Sequence, residues 1–462
     1  MYNELDSFLL PERDFALFTD FYEISMAAAY FDSNQMNTIG LFEVFVRKLP
    51  KNRSYIVAAG LEQVIYFLLN FRFEHDHIEY IRNQKIFNHV SEAFFQYLVN
   101  LKFSGNLWAM PEGSIVFPYE PILRIEAPII EAQLIETYLL SIINFQTLIA
   151  SKASRVVQAA KGRPIVEFGS RRAHGPNAGL LGARASIIGG CQGTSNTYAG
   201  YKIGIPASGT MAHSFVMNFA TEVEAFQAFC DVFPESILLV DTYDPIRAVK
   251  IAIQNDLKFK GIRIDSGNIL NISKEIRKIL DDADRKSAKI MATGDLNEHK
   301  IDELLSKKAP IDYFGVGTEL STSRDDPALN GVYKLVAIKI KSNSKNSNGY
   351  QTIYKRKTSP GKENYSGPKQ VRRLILNNMF VNDILTLDDE EVKDSVPMLK
   401  QYIKCGKMIE RLPLISEIRS YCKDQVNMLP EQFRRLNYVP ESFPVIISEK
   451  LRKVSNMSNS KE

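Results

Sequence analysis

Between residues 165 and 213 the chain concentrates side chains suited to binding anionic oxygen. IVEFGSRRAHGPNAGLLGARAS carries Phe168, Gly169 and the pair Arg171–Arg172, and GGCQGTSNTYAGYKIGIPASGTMAHSF then supplies Ser195, Ser208, Thr210 and His213. An arginine pair, small hydroxyl side chains and ten glycines in one stretch suit phosphate better than any apolar ligand. The chemistry indicated is on a phosphorylated small molecule.

A second series of polar residues follows: Asp241 and Asp244, Arg263 with Asp265-Ser266-Gly267, Thr293-Gly294-Asp295, and Gly315, Gly317 and Thr318. Arg263 and Asp265 would make a ribose and pyrophosphate clamp. The aspartate accepts from sugar hydroxyls or holds Mg²⁺, and the guanidinium neutralises anionic oxygen. The plainer alternative is that Asp265 or Ser266 caps a helix. His213 reads either as a reacting group or as a structural hydrogen-bonding residue. His75 and His77, in FEHDH, lack any supporting cysteine or carboxylate pattern and read as a polar helix start rather than a metal site. No GxxxxGK[ST] loop, no helix-opening GxGxxG with a downstream acid, and no lysine at a strand end occurs in this region. Those absences argue against a P-loop nucleotide site, a dinucleotide site and a Schiff-base aldolase.

The elements that must position these residues are short apolar runs alternating with helical spacing. Strands are expected at 165–166, 203–205, 236–240, 259–264, 289–292 and 311–314, each ending in polar or glycine residues. Helices are expected at 221–233, 245–256, 269–284 and 298–308. This pattern describes an α/β fold, an irregular parallel β/α barrel whose working face lies at the strands' C-terminal ends.

Before it, helical and strand patterns alternate, with a strand at 41–46, helical stretches at 61–66 and 78–101, and strand-like runs at 107–111 and 114–128. A long helix over about 131–160 then leads into the barrel. The expected organisation is an N-terminal α+β domain (1–140), the barrel (141–340) and a C-terminal extension with a basic loop packing on both (341–462). After Thr318, 332–340 reads as a strand; in the extension 343–349 reads as a polar turn and 355–373 as a basic stretch. The basic stretch reads as a solvated loop, with Thr358-Ser359-Pro360-Gly361 also suiting a flap over phosphates. Residues 455–462 read as a disordered tail.

Composition agrees with a soluble protein: 462 residues, 45% hydrophobic and 24% charged, with a net charge of +4. That charge is too small to argue for nucleic acid, and 355–373 lacks interleaved aromatics. The acidic N-terminus lacks a signal-peptide pattern, and the most apolar helix is interrupted by Glu136, Ser141, Asn144 and Gln146, so no membrane span is expected. Four cysteines without CxxC spacing read as reduced thiols in a cytoplasmic protein.

Eight ordered motifs resemble those of the nicotinate phosphoribosyltransferase family: TDFYE (19–23), EFGSRRAHGPNAG (167–179), GTSNT (193–197), GIPASGTMAHSF (204–215), VDTYD (240–244), GIRIDSGN (261–268), TGDLNE (293–298) and FGVGTEL (314–320). The resemblance implies formation of nicotinate mononucleotide and pyrophosphate from nicotinate and phosphoribosyl pyrophosphate, with Mg²⁺ and coupled ATP hydrolysis, as the first step of NAD salvage from nicotinate. It implies a homodimer in which one subunit's N-terminal domain closes the other's barrel. On that template Phe168 and a partner's Tyr22 sandwich the pyridine ring. Arg171, Thr210, Arg263 and Thr318 hold carboxylate, phosphate or ribose groups. Asp265, with Asp295 as a second candidate, holds the metal, and His213 is transiently phosphorylated by ATP. His213, Asp265 and Arg171 thus stand as the catalytic set.

Relatives that use nicotinamide place an aspartate where this chain has Ser195. An aspartate would repel nicotinate's carboxylate, whereas serine can donate to it. Nicotinamide phosphoribosyltransferase is therefore the disfavoured alternative, and quinolinate, which calls for a denser basic pocket, ranks lower still. A non-catalytic pyridine-nucleotide sensor would ordinarily have lost His213 or Asp265, and both are present.

Overall fold

The computed structural model describes residues 10–341, 349–436 and 442–457. The acidic start (1–9), most of the expected polar turn (343–348) and the last five residues of the expected tail lie outside them. Ser455, by contrast, belongs to a helix, Glu449–Met457.

The chain opens with helix α1 (Phe21–Asp32), strand β1 (Ile39–Val46), two further strands, β2 (Asn106–Ala109) and β3 (Leu123–Pro128), and the helix α2 (Glu136–Ala159). Strand β1 is buried along almost its whole length. It runs between two antiparallel neighbours, β3 on one side and a strand from far downstream on the other. Burial on both faces explains its near-continuous apolar sequence. The expected single helix over 131–160 is divided at Ile135, with a short helix, Ile129–Leu134, preceding α2.

Six parallel strands follow: β4 (Ile165–Glu167), β5 (Gly193–Thr194), β6 (Ile237–Leu239), β7 (Gly261–Ile264), β8 (Lys289–Ala292) and β9 (Tyr313–Val316). Among the described residues their order is β5-β4-β9-β8-β7-β6. Leu238, Leu239, Ile262, Ile264, Ile290, Ala292, Phe314 and Val316 form the barrel's own core with the flanking helices. Those helices are α3 (Pro176–Ile188), α4 (Thr197–Ile203), α5 (His213–Met217), α6 (Glu222–Val232), α7 (Pro245–Gln254), α8 (Ile269–Asp282) and α9 (Glu298–Ser306). In α8, Ile272, Ile276 and Ile279 recur at three- and four-residue spacing on the face toward this core.

The strand expected at 203–205 is instead the end of α4. Asn196 caps that helix by accepting from the Ala199 amide, and Gly204, at φ +73°, ends it in the left-handed conformation. Two helix-terminus signals outweigh a short β-branched run. The strand at this point of the sheet is β5, ten residues earlier, and the sheet meets the following segment at a bridge between Thr194 and Ala207.

After β9 the chain returns to the first sheet. Strand β10 (Gly331–Lys341) pairs antiparallel with β1, so the last part of the span assigned to the barrel belongs to the N-terminal layer. Further strands follow: β11 (Tyr350–Tyr354), β12 (Lys369–Leu376), β13 (Met379–Leu387), β14 (Ser395–Pro397), β15 (Lys400–Lys404), β16 (Lys407–Met408) and β17 (Val445–Ile447). Strands β11, β15 and β16 complete the first sheet in the order β11-β10-β1-β3-β2-β15-β16, and β12, β13, β14 and β17 form a separate sheet.

The basic stretch 355–373 is not one solvated loop. Lys369 and Arg373 lie in β12, buried, and pair with Glu43 (2.6 Å) and Asp383 (2.6 Å). Arg47 holds the exposed bend by donating to the carbonyls of Lys362 and Glu363. No residue of 355–373 lines the barrel mouth described below. His77 reads as expected: its Nδ1 accepts from the Glu74 amide at the start of a helix. All four cysteines are free. Among the described residues no helix is long and apolar enough to cross a membrane.

Candidate active site

The strands' C-terminal ends converge on one polar mouth. Strand β4 delivers Phe168, whose amide donates to the Val316 carbonyl at 2.8 Å and so fixes the chain as it leaves the barrel. The Phe168 ring packs against Gly315 on β9, where a Cβ would meet Thr293 Cγ2 at 2.6 Å and the ring at 2.7 Å; only glycine leaves that space. The 3₁₀ turn Ser170–Arg172 then projects Arg171 and Arg172 into solvent. Neither guanidinium has a carboxylate partner among the described residues, which leaves both free for an anionic ligand.

Strands β7 and β8 supply the opposite wall. Arg263 Nη1 donates to Thr210 Oγ1 at 2.5 Å and to the Met211 carbonyl at 3.2 Å, while Nη2 lies 3.7 Å from Asp265 Oδ1. Burial pulls the Arg263 guanidinium below its usual range, and Asp265 and Asp241 oppose that effect. Thr293 donates to Asp265 Oδ1 through a short hydrogen bond. Asp265 and Ser266 do not cap the next helix, because Asn268 does so by accepting from the Asn271 amide. The carboxylate of Asp265 is therefore available to a ligand.

His213 opens α5 at the rim. Its Nδ1 lies 3.1 Å from Thr242 Oγ1, and its Nε2 lies 3.9 Å from Asp265 Oδ2. Beyond β8, Gly294 (φ +85°) and Asp295 (φ +45°) turn the chain in two successive left-handed residues.

Two adjoining cavities occupy the mouth. One of about 270 Å³ is lined by Arg171, Arg263, Asp265, Asp295, Gly317 and Thr318. The other, about 450 Å³, is lined by Phe168, Ser195, Thr210, His213 and again Arg171, Arg263 and Asp265. Every expected site residue but one thus lies at a single mouth. The exception is Tyr22, which lines neither cavity: it stands about half-exposed on α1 in the N-terminal domain. Burial and the neighbouring Glu23 push its hydroxyl pKa up. A larger cavity, about 780 Å³, opens at the other end of the strands and meets the mouth at Gly209 and Thr210.

Three residues of the site went unassigned in the sequence reading. Asp241 accepts from the Asp265 amide (2.9 Å) and the Ser266 hydroxyl (2.6 Å) through Oδ2, and its Oδ1 is buried without a partner. Thr242 and Thr293 orient His213 and Asp265. Asp241 and Thr293 stand in the series of strand-end polar residues without a role, and Thr242, inside VDTYD, is marked only by its place just after a strand end.

The residues fit a magnesium ion. Among the described residues no group of three or more histidine, cysteine or carboxylate ligands is assembled. Mg²⁺ characteristically takes one or two carboxylates and completes its shell with water and substrate phosphate oxygens. The orphaned Asp241 Oδ1 beside Asp265 is a donor set of that kind.

Three family domains match along the chain: the nicotinate phosphoribosyltransferase N-terminal domain over residues 17–144, the nicotinate phosphoribosyltransferase family over 164–383 and its C-terminal domain over 391–455. The chain is 42% identical to a nicotinate phosphoribosyltransferase of Mycobacterium tuberculosis over 443 residues, covering 94% of this chain and 92% of that protein. It is 39% identical to a nicotinate phosphoribosyltransferase of Bacillus subtilis over 465 residues, covering 94% and 93%. Among solved structures it is similar to human nicotinic acid phosphoribosyltransferase, with a TM-score of 0.79 at 26% identity, covering 95% of this chain and 99% of that one. It is also similar to a nicotinate-nucleotide pyrophosphorylase from Pyrococcus furiosus, with a TM-score of 0.74 at 26% identity, covering 92% and 99%.

Proposed function

The chain belongs to the nicotinate phosphoribosyltransferase family and is an enzyme of that type, and from that premise we propose that it forms nicotinate mononucleotide and pyrophosphate from nicotinate and phosphoribosyl pyrophosphate, coupled to ATP hydrolysis, at the barrel mouth. The observation that carries this reading is the joining of unpaired Arg171, half-buried Arg263, Asp265 and the Phe168 face in one pair of adjoining cavities.

In the transfer, the pyridine nitrogen attacks the anomeric carbon as the bond to pyrophosphate oxygen breaks, and that oxygen takes the electron pair. The transition state resembles a sugar cation, so the protein supplies no nucleophile. It supplies position and charge. Phe168 offers a flat ring for the pyridine, and Ser195 can donate to its carboxylate, which an aspartate there would repel. Arg171, Arg263 and Thr318 surround the space for anionic groups, and Thr210 holds Arg263 in place. Asp265 takes ribose hydroxyls or a share of Mg²⁺, with Asp241 and Asp295 as the further carboxylates in reach. The metal, when bound, neutralises the leaving pyrophosphate.

His213 accepts a phosphoryl group from ATP, releasing ADP, and water later removes it as phosphate. That step gives ATP a route into the cycle without a glycine-rich ATP loop. The half-exposed Tyr22 supports a homodimer in which it closes the partner's mouth over the ring. The product would enter NAD salvage in the cytoplasm.

The deciding experiment is mononucleotide formation from phosphoribosyl pyrophosphate and Mg²⁺, with nicotinate or nicotinamide, each with and without ATP. ATP-stimulated turnover of nicotinate is the expected result. Turnover of nicotinamide alone would overturn the Ser195 argument, and binding without turnover of either base would point to a sensor.

A further inference from the structure

Glu167, the last residue of β4, ends the strand just before Phe168, yet its side chain points into the protein and is 2% exposed. One carboxylate oxygen accepts a short hydrogen bond from the Gly169 amide, and the other accepts from Thr194 Oγ1 at 2.6 Å. Thr194 Oγ1 in turn accepts from the Asn196 amide at 3.0 Å, and the Glu167 carbonyl accepts from the Ser195 amide at 2.8 Å. The Thr194 carbonyl accepts from the Ser208 amide at 2.8 Å. One buried carboxylate therefore ties the turn that bears Phe168 and Arg171 to the loop that bears Ser195, and through Thr194 to the segment leading to Thr210 and His213. Burial raises its carboxyl while both donors stabilise the charged form. A carboxylate that serves only the barrel's stability has no need to join two ligand-bearing loops.

We propose that Glu167 is a positioning residue for the pyridine substrate, setting through the Gly169 amide and the Thr194 hydroxyl the separation between the Phe168 face and Ser195. This rests on the nicotinate reading above. Glu167 touches no substrate; it acts through the two loops. A displacement of about 1 Å in such a site costs on the order of a hundredfold in rate, so loosening either tie is expected to be felt at the ring first.

The test is steady-state kinetics on the full-length protein with Thr194→Val, Thr194→Ser and Glu167→Gln. Thr194→Val keeps the shape of the buried side chain and puts a methyl in place of the hydroxyl, removing its bond to Glu167 and the one it accepts from the Asn196 amide. It is expected to raise the KM for nicotinate by about tenfold or more, with the KM for phosphoribosyl pyrophosphate changed less than about twofold. Thr194→Ser, which restores the hydroxyl, is expected to recover most of the loss. Glu167→Gln should give the larger effect in the same direction. Equal changes in both KM values, or a nicotinate KM unchanged in Thr194→Val, would overturn the proposal. If Glu167→Gln does not fold, the Thr194 pair still decides it. Absence of turnover in the unsubstituted protein would instead count against the nicotinate reading itself.

Discussion

His213 and Asp265 face one another across the barrel mouth, imidazole Nε2 3.9 Å from carboxylate Oδ2, while Thr242 holds the opposite ring nitrogen at 3.1 Å. The ring is thus oriented from one side and presented to the ligand space on the other. His213→Ala is expected to abolish stimulation by ATP while leaving slow nicotinate transfer, and to abolish labelling of the protein by γ-phosphate-labelled ATP. Stimulation that persists in the variant would remove the phosphohistidine role.

Ser195 is exposed at the mouth, on the loop after β5. Ser195→Asp is expected to lower kcat/KM for nicotinate by at least about tenfold, the scale of one lost or repelled polar contact, and to raise that for nicotinamide. Competition between the two bases in one assay reads the ratio directly; an unaltered ratio places selectivity elsewhere.

Gly294 stands at φ +85°, and a Cβ there would collide with the carbonyl of Asp265. Gly294→Ala is expected to displace Asp265 and to destabilise the fold by roughly 1–3 kcal/mol. Thermal unfolding measures the second effect. The KM for phosphoribosyl pyrophosphate measures the first, and an unchanged value would show that the loop after β8 does not touch that substrate.

Asp241 leaves one oxygen buried and unpartnered beside Asp265. Asp241→Asn is expected to raise the Mg²⁺ concentration for half-maximal activity by about tenfold, the lower end of what altering a carboxylate that supports a metal site costs. Titration with Mg²⁺ after chelator treatment checks this. A midpoint equal to that of the unsubstituted protein would leave Asp241 only its hydrogen bonds to the Asp265 amide and Ser266.

Glu298 lies within α9 and is fully buried, 2.7 Å from Lys152 and 3.2 Å from Arg155 on α2. Burial alone would raise its carboxyl, but the two cations outweigh it and bring the value down to about 2. Its folded value is depressed, so the stability it contributes is complete above about pH 5 and is lost as pH falls toward 2. Glu298→Gln is expected to cost about 3 kcal/mol at pH 7 and progressively less in acid. Denaturant unfolding at pH 7 and pH 3 checks the sign: an equal difference at both would exclude an ionised pair.

Much of the barrel was legible because parallel strands buried on both faces read as short apolar runs, and four of the flanking helices carry their cap and period in the sequence. The run at 203–205 failed for a local reason: Asn196 and Gly204 bracket a helix that carries Tyr198, Tyr201 and Ile203, residues that also suit strands. Strand β10 reads as a strand but gives no sign of its partner, since pairing with β1 is a long-range fact. Lys369 and Arg373 looked solvated because their acids, Glu43 and Asp383, are chosen only in three dimensions. The mouth was legible to the extent that its residues follow strand ends. Glu167 was not, because a buried carboxylate inside a strand is indistinguishable in sequence from an outward-facing one.

The return of β10 to β1 also bears on the order in which the chain can be built. Strand β1 has one neighbour, β3, soon after synthesis, but its other edge stays unpaired until Gly331–Lys341 has been made. At roughly 5–20 residues per second, the interval lasts on the order of tens of seconds. All six barrel strands are made within that interval. A ribosome stalled between β9 and β10 would therefore hold a chain with all six barrel strands present and an open, apolar edge on its first sheet, exposed to aggregation and to chaperones.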